Sequence, residues 1–194
     1  FAFDGSDPIG GALELSRELE ELVKRDPSRF AALVQRFSDD SNIYYFDAIL
    51  RGIKDTDLNK ELMLDVCRRC HNLKNRPCGS WICDVIAKIA ESDLPDEALD
   101  IVAWYATEAL DPECEKWRIE GPNKTVYYGG DIVSAGLNSV RGRAAKAMAS
   151  LIFHDKSRLI YLKSTVEKAV ADPSIEVRSW ITSMLLSVLS HDRD

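Results

Sequence analysis

What this chain has least of is the equipment for chemistry. Histidine occurs three times in 194 residues, as His71, His154 and His191. That is too few, and too scattered, to set a general base beside a nucleophile and an orienting acid. No Gly-x4-Gly-Lys-Ser/Thr segment occurs. The paired glycines, Gly10-Gly11 and Gly129-Gly130, lack the strand before and helix after that a phosphate-cradling loop requires. The expectation is a protein that is not an enzyme.

Long apolar runs are missing as well. The longest candidate, Trp180 to Leu189, is broken by Thr182, Ser183 and Ser187, and it falls short of the roughly 18–20 residues that span a bilayer. The opening Phe1-Ala2-Phe3-Asp4 has no basic n-region. It also has no initiator Met, which sets the expectation of a piece of a longer protein. Cysteine is odd in number at five, with three crowded between Cys70 and Cys83. That usage suits a reducing compartment rather than a disulfide scaffold, so a cytoplasmic location without a membrane anchor is expected.

Positive charge is scarce: 25 Lys and Arg stand against 32 Asp and Glu, a net of −7. This balance argues against a nucleic-acid binder, which needs clustered cations for phosphate contacts. The deficit is uneven. Residues 134–194 hold nine Lys/Arg against six Asp/Glu, which leaves −10 on residues 1–133. A second reading, a helical solenoid that binds nucleic acid on a basic C-terminal face, therefore needs Arg141, Arg143, Lys146, Lys163 and Lys168 to converge.

What is abundant is helical periodicity; strand-like alternation is nearly absent. A first helix over about Ala12–Lys24 has Leu15, Leu19, Leu22 and Val23 on one stripe. Asp26-Pro27 ends it and starts a second, because Pro suits a first helical turn. The Asp39-Asp40-Ser41-Asn42 loop supplies the N-cap of a helix with Tyr45, Phe46, Ile49, Leu50 and Ile53 on its buried side. A longer helix spans about Leu58–Lys74; the Arg76-Pro77-Cys78-Gly79 turn breaks it, and Ser80 can cap a helix with Trp81, Ile82, Val85, Ile86 and Ile89. A further helix has Leu99, Val102, Ala103, Ala106 and Leu110 at spacings of three and four. Residues 111–138 then break the pattern, and Trp117-Arg118-Ile119 with Thr125-Val126-Tyr127-Tyr128 reads as an inserted loop or small β-hairpin.

The last third repeats with a period of 37 residues. Val140-Arg141 aligns with Val177-Arg178, Ala144 with Ile181, Met148 with Leu185, Leu151 with Val188 and Ile152 with Leu189. A helix over about Ser157–Ala171 lies between the copies. Two helices per repeat of this length is the mark of a helical solenoid. Asp172-Pro173 with Val177-Arg178 resembles the HEAT/armadillo repeat pattern. That resemblance implies an all-α solenoid of antiparallel helical pairs, about nine helices in all. It further implies that Arg141 and Arg178 lock adjacent repeats by pairing with acidic or carbonyl groups. The run from Asn138 into an Ala-rich helix is similar to helical-repeat regions of large bacterial multidomain ATP-binding proteins. One helical-repeat domain over 1–194 is expected: degenerate pairs over 1–110, the insertion over 111–138 and the clearest repeats over 139–194.

Two motifs remain. Cys67-Arg68-Arg69-Cys70-His71 spells a haem-attachment pattern, but the thiols sit on an apolar helical stripe with Met63, Val66 and Leu73, where cysteine acts as a small hydrophobe. Cys67, Cys70, His71 and Cys78, with Cys83 nearby, supply enough soft ligands for a structural zinc. Their irregular spacing favours plain core thiols, so no metal or cofactor is expected. The stronger candidate is a binding surface built from Trp117, Arg118, Tyr127 and Tyr128 in the insertion with Arg141 and Arg143 at the next helix, because aromatics and Arg dominate interface hot spots. The expected function is an interaction scaffold or sensor module that holds a protein partner or an adjacent domain of the same chain.

Overall fold

The structure, a computed structural model, describes residues 11–113 and 115–191; the opening Phe1–Asp4, Gly10 of the first glycine pair and Cys114 lie outside the described residues. Ten α-helices and two short 3-10 turns make up the regular structure, with no strand among the described residues. The fold of the described residues is therefore all-α, with helices packed against one another. The chain divides into two compact units, Phe1–Trp81 and Ile82–Asp194.

The first unit holds α1 (Ala12–Arg25), α2 (Pro27–Val34), α3 (Ile43–Lys54) and α4 (Lys60–His71). Side chains of the expected kind set its helix starts. The Asp26 carboxylate accepts from the Arg29 backbone N–H at 3.3 Å, with Pro27 in the first turn. Asn42 accepts from the Tyr44 N–H at 3.0 Å, and Asn59 from the Glu61 N–H at 2.8 Å. Each cap satisfies a donor that the helix leaves open. α4 ends at His71, short of the expected Lys74, because Asn75 and Arg76 both take left-handed backbone (φ 64° and 49°) that turns the chain. Phe46, Ile49, Leu50 and Ile53 of α3 are fully buried, as are Val66, Cys67 and Cys70 of α4.

In α1 the expected stripe is rotated. Leu15 and Leu22 are exposed, whereas Ser16 and Val23 are buried. The cause lies on α3: Gly52 sits beneath Val23, where an added Cβ would come within 2.6 Å of the Val23 side chain. The bare glycine lets α1 approach closely along the Ser16–Val23 line, and that contact outweighs the larger leucine stripe.

In the second unit, α5 (Gly79–Lys88), which crosses the division, is followed by α6 (Asp96–Thr107), α7 (Ile132–Leu137), α8 (Val140–His154), α9 (Ser157–Val170) and α10 (Ile175–His191). α8 is the centre, packed against α6, α9 and α10, and α10 also packs on α7. Ala144, Ala145, Ala147, Met148, Leu151 and Ile152 of α8 are all buried. α6 stops at Thr107, so Leu110 points to solvent rather than inward. The short α7, within the expected insertion, raises the count from about nine helices to ten.

Candidate interaction site

The irregular segment from Glu108 to Asp131 connects α6 to α7, and buried polar groups hold its base. Asp111 is the first anchor. Its carboxylate pairs with the Lys116 ammonium and accepts from the Val140 N–H at 2.8 Å, and its carbonyl accepts from the Arg141 N–H at 3.1 Å. The loop is thereby pinned to the N-terminus of α8, whose first turn is capped by Ser139 through the Gly142 N–H.

Arg141 is the second anchor. Its guanidinium is almost fully buried and donates to both Asp172 carboxylate oxygens, Nε to Oδ2 at 2.7 Å and Nη2 to Oδ1 at 3.3 Å. Nη1 donates to the Ala109 and Leu110 carbonyls at 2.9 and 3.2 Å, and Nη2 to the Pro112 carbonyl at 3.1 Å. These five bonds use all five guanidinium donors. Arg178, the second repeat arginine, donates to the Asp172 and Pro173 carbonyls.

Glu176, on the first turn of α10, is the third anchor. It is fully buried, and its Oε2 accepts from the Trp117 backbone N–H at 3.2 Å. Its Oε1 and the Trp117 Nε1 have no hydrogen-bond partner among the described residues. Burial pushes the Glu176 pKa above the ordinary carboxylate value, and the Trp117 N–H and the Lys116 charge oppose that shift only in part.

Beyond this base the segment runs outward. The Arg118 guanidinium lies over its neighbour Trp117 at 4.6 Å from the ring centroid. An isolated antiparallel bridge joins Glu120 to Val126, and the Tyr127 N–H donates to the Ile119 carbonyl at 2.8 Å. Of the two expected forms, an inserted loop or a small β-hairpin, the described residues take the loop. Its two arms are 3-10 turns, Lys116–Arg118 and Tyr127–Gly130. Lys124, Tyr128, Gly129 and Gly130 all have left-handed backbone, which no ladder tolerates. The turn at Tyr128–Gly130 directs the two adjacent tyrosines outward: Tyr127 is 47% and Tyr128 42% exposed, with ring centroids 6.3 Å apart. Ile119 and Val126 are exposed beside them.

The residues expected to share one surface are thus split by depth. Arg118, Tyr127 and Tyr128 are on the outside, while Trp117 is partly covered. Arg141 is interior, and Arg143 donates to the Leu137 carbonyl and pairs with Asp84 at 2.8 Å. Both arginines build the platform beneath the loop. Asp111, Lys116 and Glu176 are parts of the clamp that periodicity did not single out. A buried charge on an otherwise helical stripe leaves no mark in a pattern of apolar spacing.

The chain matches no family model, no curated protein and no solved structure. The reading of the site accordingly rests on its own geometry.

The cysteine motif lies elsewhere, in the first unit. Cys67, Cys70 and Cys78 are fully buried and in the reduced, thiol form, and His71 is half-buried. The Cys70 and Cys78 thiols are in contact. That contact and burial push the Cys78 thiol far above its ordinary pKa. No three His, Cys, Asp or Glu side chains among the described residues are grouped so that they could hold a metal ion. Nor is any described helix long and apolar enough to cross a membrane.

Proposed function

We propose that this protein is a non-catalytic interaction module whose insertion, residues 111–131, presents a rigid aromatic tip to a protein partner or a neighbouring domain. One observation carries the reading. A loop whose base is fixed by the half-buried Lys116–Asp111 pair and the buried Arg141–Asp172 pair ends in four exposed apolar side chains, Ile119, Val126, Tyr127 and Tyr128. Loops of this length are either disordered or functional, and a pre-ordered one loses little entropy on binding. Tyrosine pairs are frequent anchors of protein interfaces because they bring large area at low rotamer cost.

The basic-face reading draws no comparable support. Of its five cations, Arg141 is consumed by Asp172 and by loop carbonyls, and Arg143 by Asp84. Lys168 stands 3.8 Å from Glu108, and Lys146 lies over the Trp180 ring.

The test is a Tyr127→Ala/Tyr128→Ala double variant. Its helical circular dichroism and urea midpoint stay within about 1 kcal/mol of the parent, as for exposed side chains. In quantitative affinity capture from its native host, at least one protein recovered by the parent drops about tenfold or more, the effect of losing hot-spot contacts worth roughly 1.4 kcal/mol or more. A stability loss above about 2 kcal/mol shows instead that the rings pack the loop onto its own scaffold. An unchanged set of captured proteins overturns the proposal as well.

A further inference from the structure

The first compact unit encloses two sulfurs and a carboxylate in an arrangement that packing alone does not require. Cys70 lies in the last turn of α4, and Cys78 stands just before α5. Between them the chain runs out to solvent, where Asn72, Lys74, Asn75 and Pro77 are exposed. Asn75 and Arg76 in succession take left-handed backbone, which residues other than glycine seldom adopt. That turn, in which the Arg76 N–H donates to the Leu73 carbonyl at 3.0 Å, brings the chain back inward. Cys78 is thereby set against the Cys70 thiol, with both side chains closed off from solvent.

Contact between core thiols is ordinary, because a buried cysteine packs as a small hydrophobe. The carboxylate beside them is not ordinary. Asp47, on α3, accepts from the Cys78 thiol, and its Oδ1 has no hydrogen-bond partner among the described residues. The cation that acts on it is Arg51, but the Arg51 Nε is bonded to the Glu20 carboxylate at 2.7 Å. A carboxylate drawn out of water without a counter-ion of its own is unfavourable, and it adds nothing to an apolar core. What it adds is chemistry. The Cys78 hydrogen has two acceptors in reach, the Cys70 sulfur and the Asp47 carboxylate. Cys78 can therefore give its proton to Asp47 while its sulfur faces Cys70. Disulfide formation needs both conditions, a thiolate and a second sulfur within reach.

We propose that Cys70 and Cys78 form a dithiol–disulfide couple oxidised by a small hydroperoxide, with Asp47 the acceptor of the Cys78 proton. The Cys70 sulfur attacks hydrogen peroxide and breaks the O–O bond, giving Cys70 sulfenic acid and one water. Cys78 then passes its proton to Asp47, and its sulfur displaces hydroxide from the Cys70 sulfur. The hydroxide takes the proton from Asp47 and leaves as a second water. Two thiols and one peroxide give one disulfide and two waters, and Asp47 ends as it began. Cys78 acts second because contact with Cys70 and burial hold its proton too tightly for the first attack. Asp47, raised to about 6, is still mostly ionised at neutral pH and can receive that proton. The oxidant has to be small, because both sulfurs are enclosed. Cys67 is the wrong partner for Cys70: at i, i+3 on a continuous helix their Cβ atoms stand about 5–6 Å apart, against the roughly 3.5–4.5 Å of a disulfide.

The test treats the full chain, folded at neutral pH, with hydrogen peroxide, then blocks thiols and sequences the peptides by mass spectrometry. The expected product is a Cys70–Cys78 link that dithiothreitol reverses, with the circular dichroism spectrum kept. Dimedone, which captures sulfenic acids, separates the two steps. In Cys78→Ala the sulfenic acid accumulates on Cys70, because nothing resolves it. In Asp47→Asn it forms at the parental rate, but its conversion to the disulfide slows at least about tenfold, the effect of losing a proton acceptor. A folded parent that forms no Cys70–Cys78 link, or forms it only in urea, overturns the proposal. A Cys67–Cys70 link overturns it as well. Resolution at the parental rate in Asp47→Asn, or an equal fall in both steps, overturns the part assigned to Asp47.

Discussion

A guanidinium that is 8% exposed, with every donor occupied, belongs to the framework of the protein. Arg141 ties three successive segments together: the end of α6, the start of the insertion and the Asp172 turn before α10. Removing it as Arg141→Ala leaves the Asp172 carboxylate buried without its counter-charge, along with three carbonyls that lose a donor. Breaking a buried pair in this way costs about 3–5 kcal/mol, read as a lowered urea midpoint. Arg141→Lys recovers only a small part, because an ammonium has three donors and no planar fork with which to serve two carboxylate oxygens and three carbonyls. A loss below about 1 kcal/mol in Arg141→Ala shows that the network is a surface feature. This residue also marks what a sequence reveals at the smallest scale. The resemblance carried by Asp172-Pro173 with Val177-Arg178 implies that Arg141 and Arg178 pair with acidic or carbonyl groups, and Arg141 pairs with Asp172. The same residue, judged by its place beside the loop, reads equally well as a surface contact. Spacing carries partner chemistry but not depth, and depth decides between the two roles.

At the scale of elements, helix starts were the legible part, whereas the ends of α4 and α6 fall short of the expected ones. Asp26-Pro27 and Asn42 act through their own backbone neighbours, so the local sequence contains the whole interaction. The facing of α1 was not legible, because it depends on Gly52, 29 residues beyond Val23. The insertion was half-legible. The break in periodicity marked it as a loop or small hairpin, but the left-handed backbone at Lys124 and Tyr128 that decides for the loop has no sequence signal. Gly52 supplies a test. In a helix interior Gly→Ala is ordinarily worth about 0.5–1 kcal/mol in favour of alanine. Here the added Cβ meets the Val23 side chain at 2.6 Å, and overpacking of a tight contact costs about 1–3 kcal/mol. The steric term wins, so Gly52→Ala destabilises the protein by chemical denaturation. Val23→Ala in the same chain recovers part of the loss, because it removes the methyl groups in the way. If Gly52→Ala proves neutral or stabilising alone, α1 and α3 do not make this close approach.

For the molecule as a whole, the response to pH follows from two desolvated carboxyls, one in each compact unit: the half-buried Asp47 and the buried Glu176. Burial pushes Asp47 on α3 up to about 6; the Cys78 thiol donates to it and the Arg51 charge is nearby, but neither offsets the lost hydration. Its Oδ1 has no hydrogen-bond partner among the described residues. Glu176 is raised in the same direction and by the same first cause. A carboxyl raised on folding binds its proton more tightly in the native state than in the unfolded chain. Its contribution to stability is therefore complete below the unfolded value, near 4, and is lost as pH climbs through the folded value. For Asp47 that window runs from about 4 to about 6. A shift of this size is worth up to about 3 kcal/mol when burial is complete, and about 1–2 kcal/mol for a side chain still partly in contact with water. Asp131 and Asp155 are shifted the opposite way by the Ser134 and Ser157 hydroxyls, but both are solvated and contribute little. The protein is consequently more stable at pH 5 than at pH 7. Asp47→Asn, neutral at every pH, removes most of that difference by raising the midpoint at pH 7 and leaving pH 4 nearly unchanged. Glu176→Gln removes the remainder and keeps an oxygen for the Trp117 N–H. The decisive measurement is a set of urea midpoints at pH 4, 5, 6 and 7 for the parent, both single variants and the double. A parent that gains stability from pH 5 to pH 7 means that carboxylates paired in the folded state, rather than these two desolvated ones, govern its response to acid.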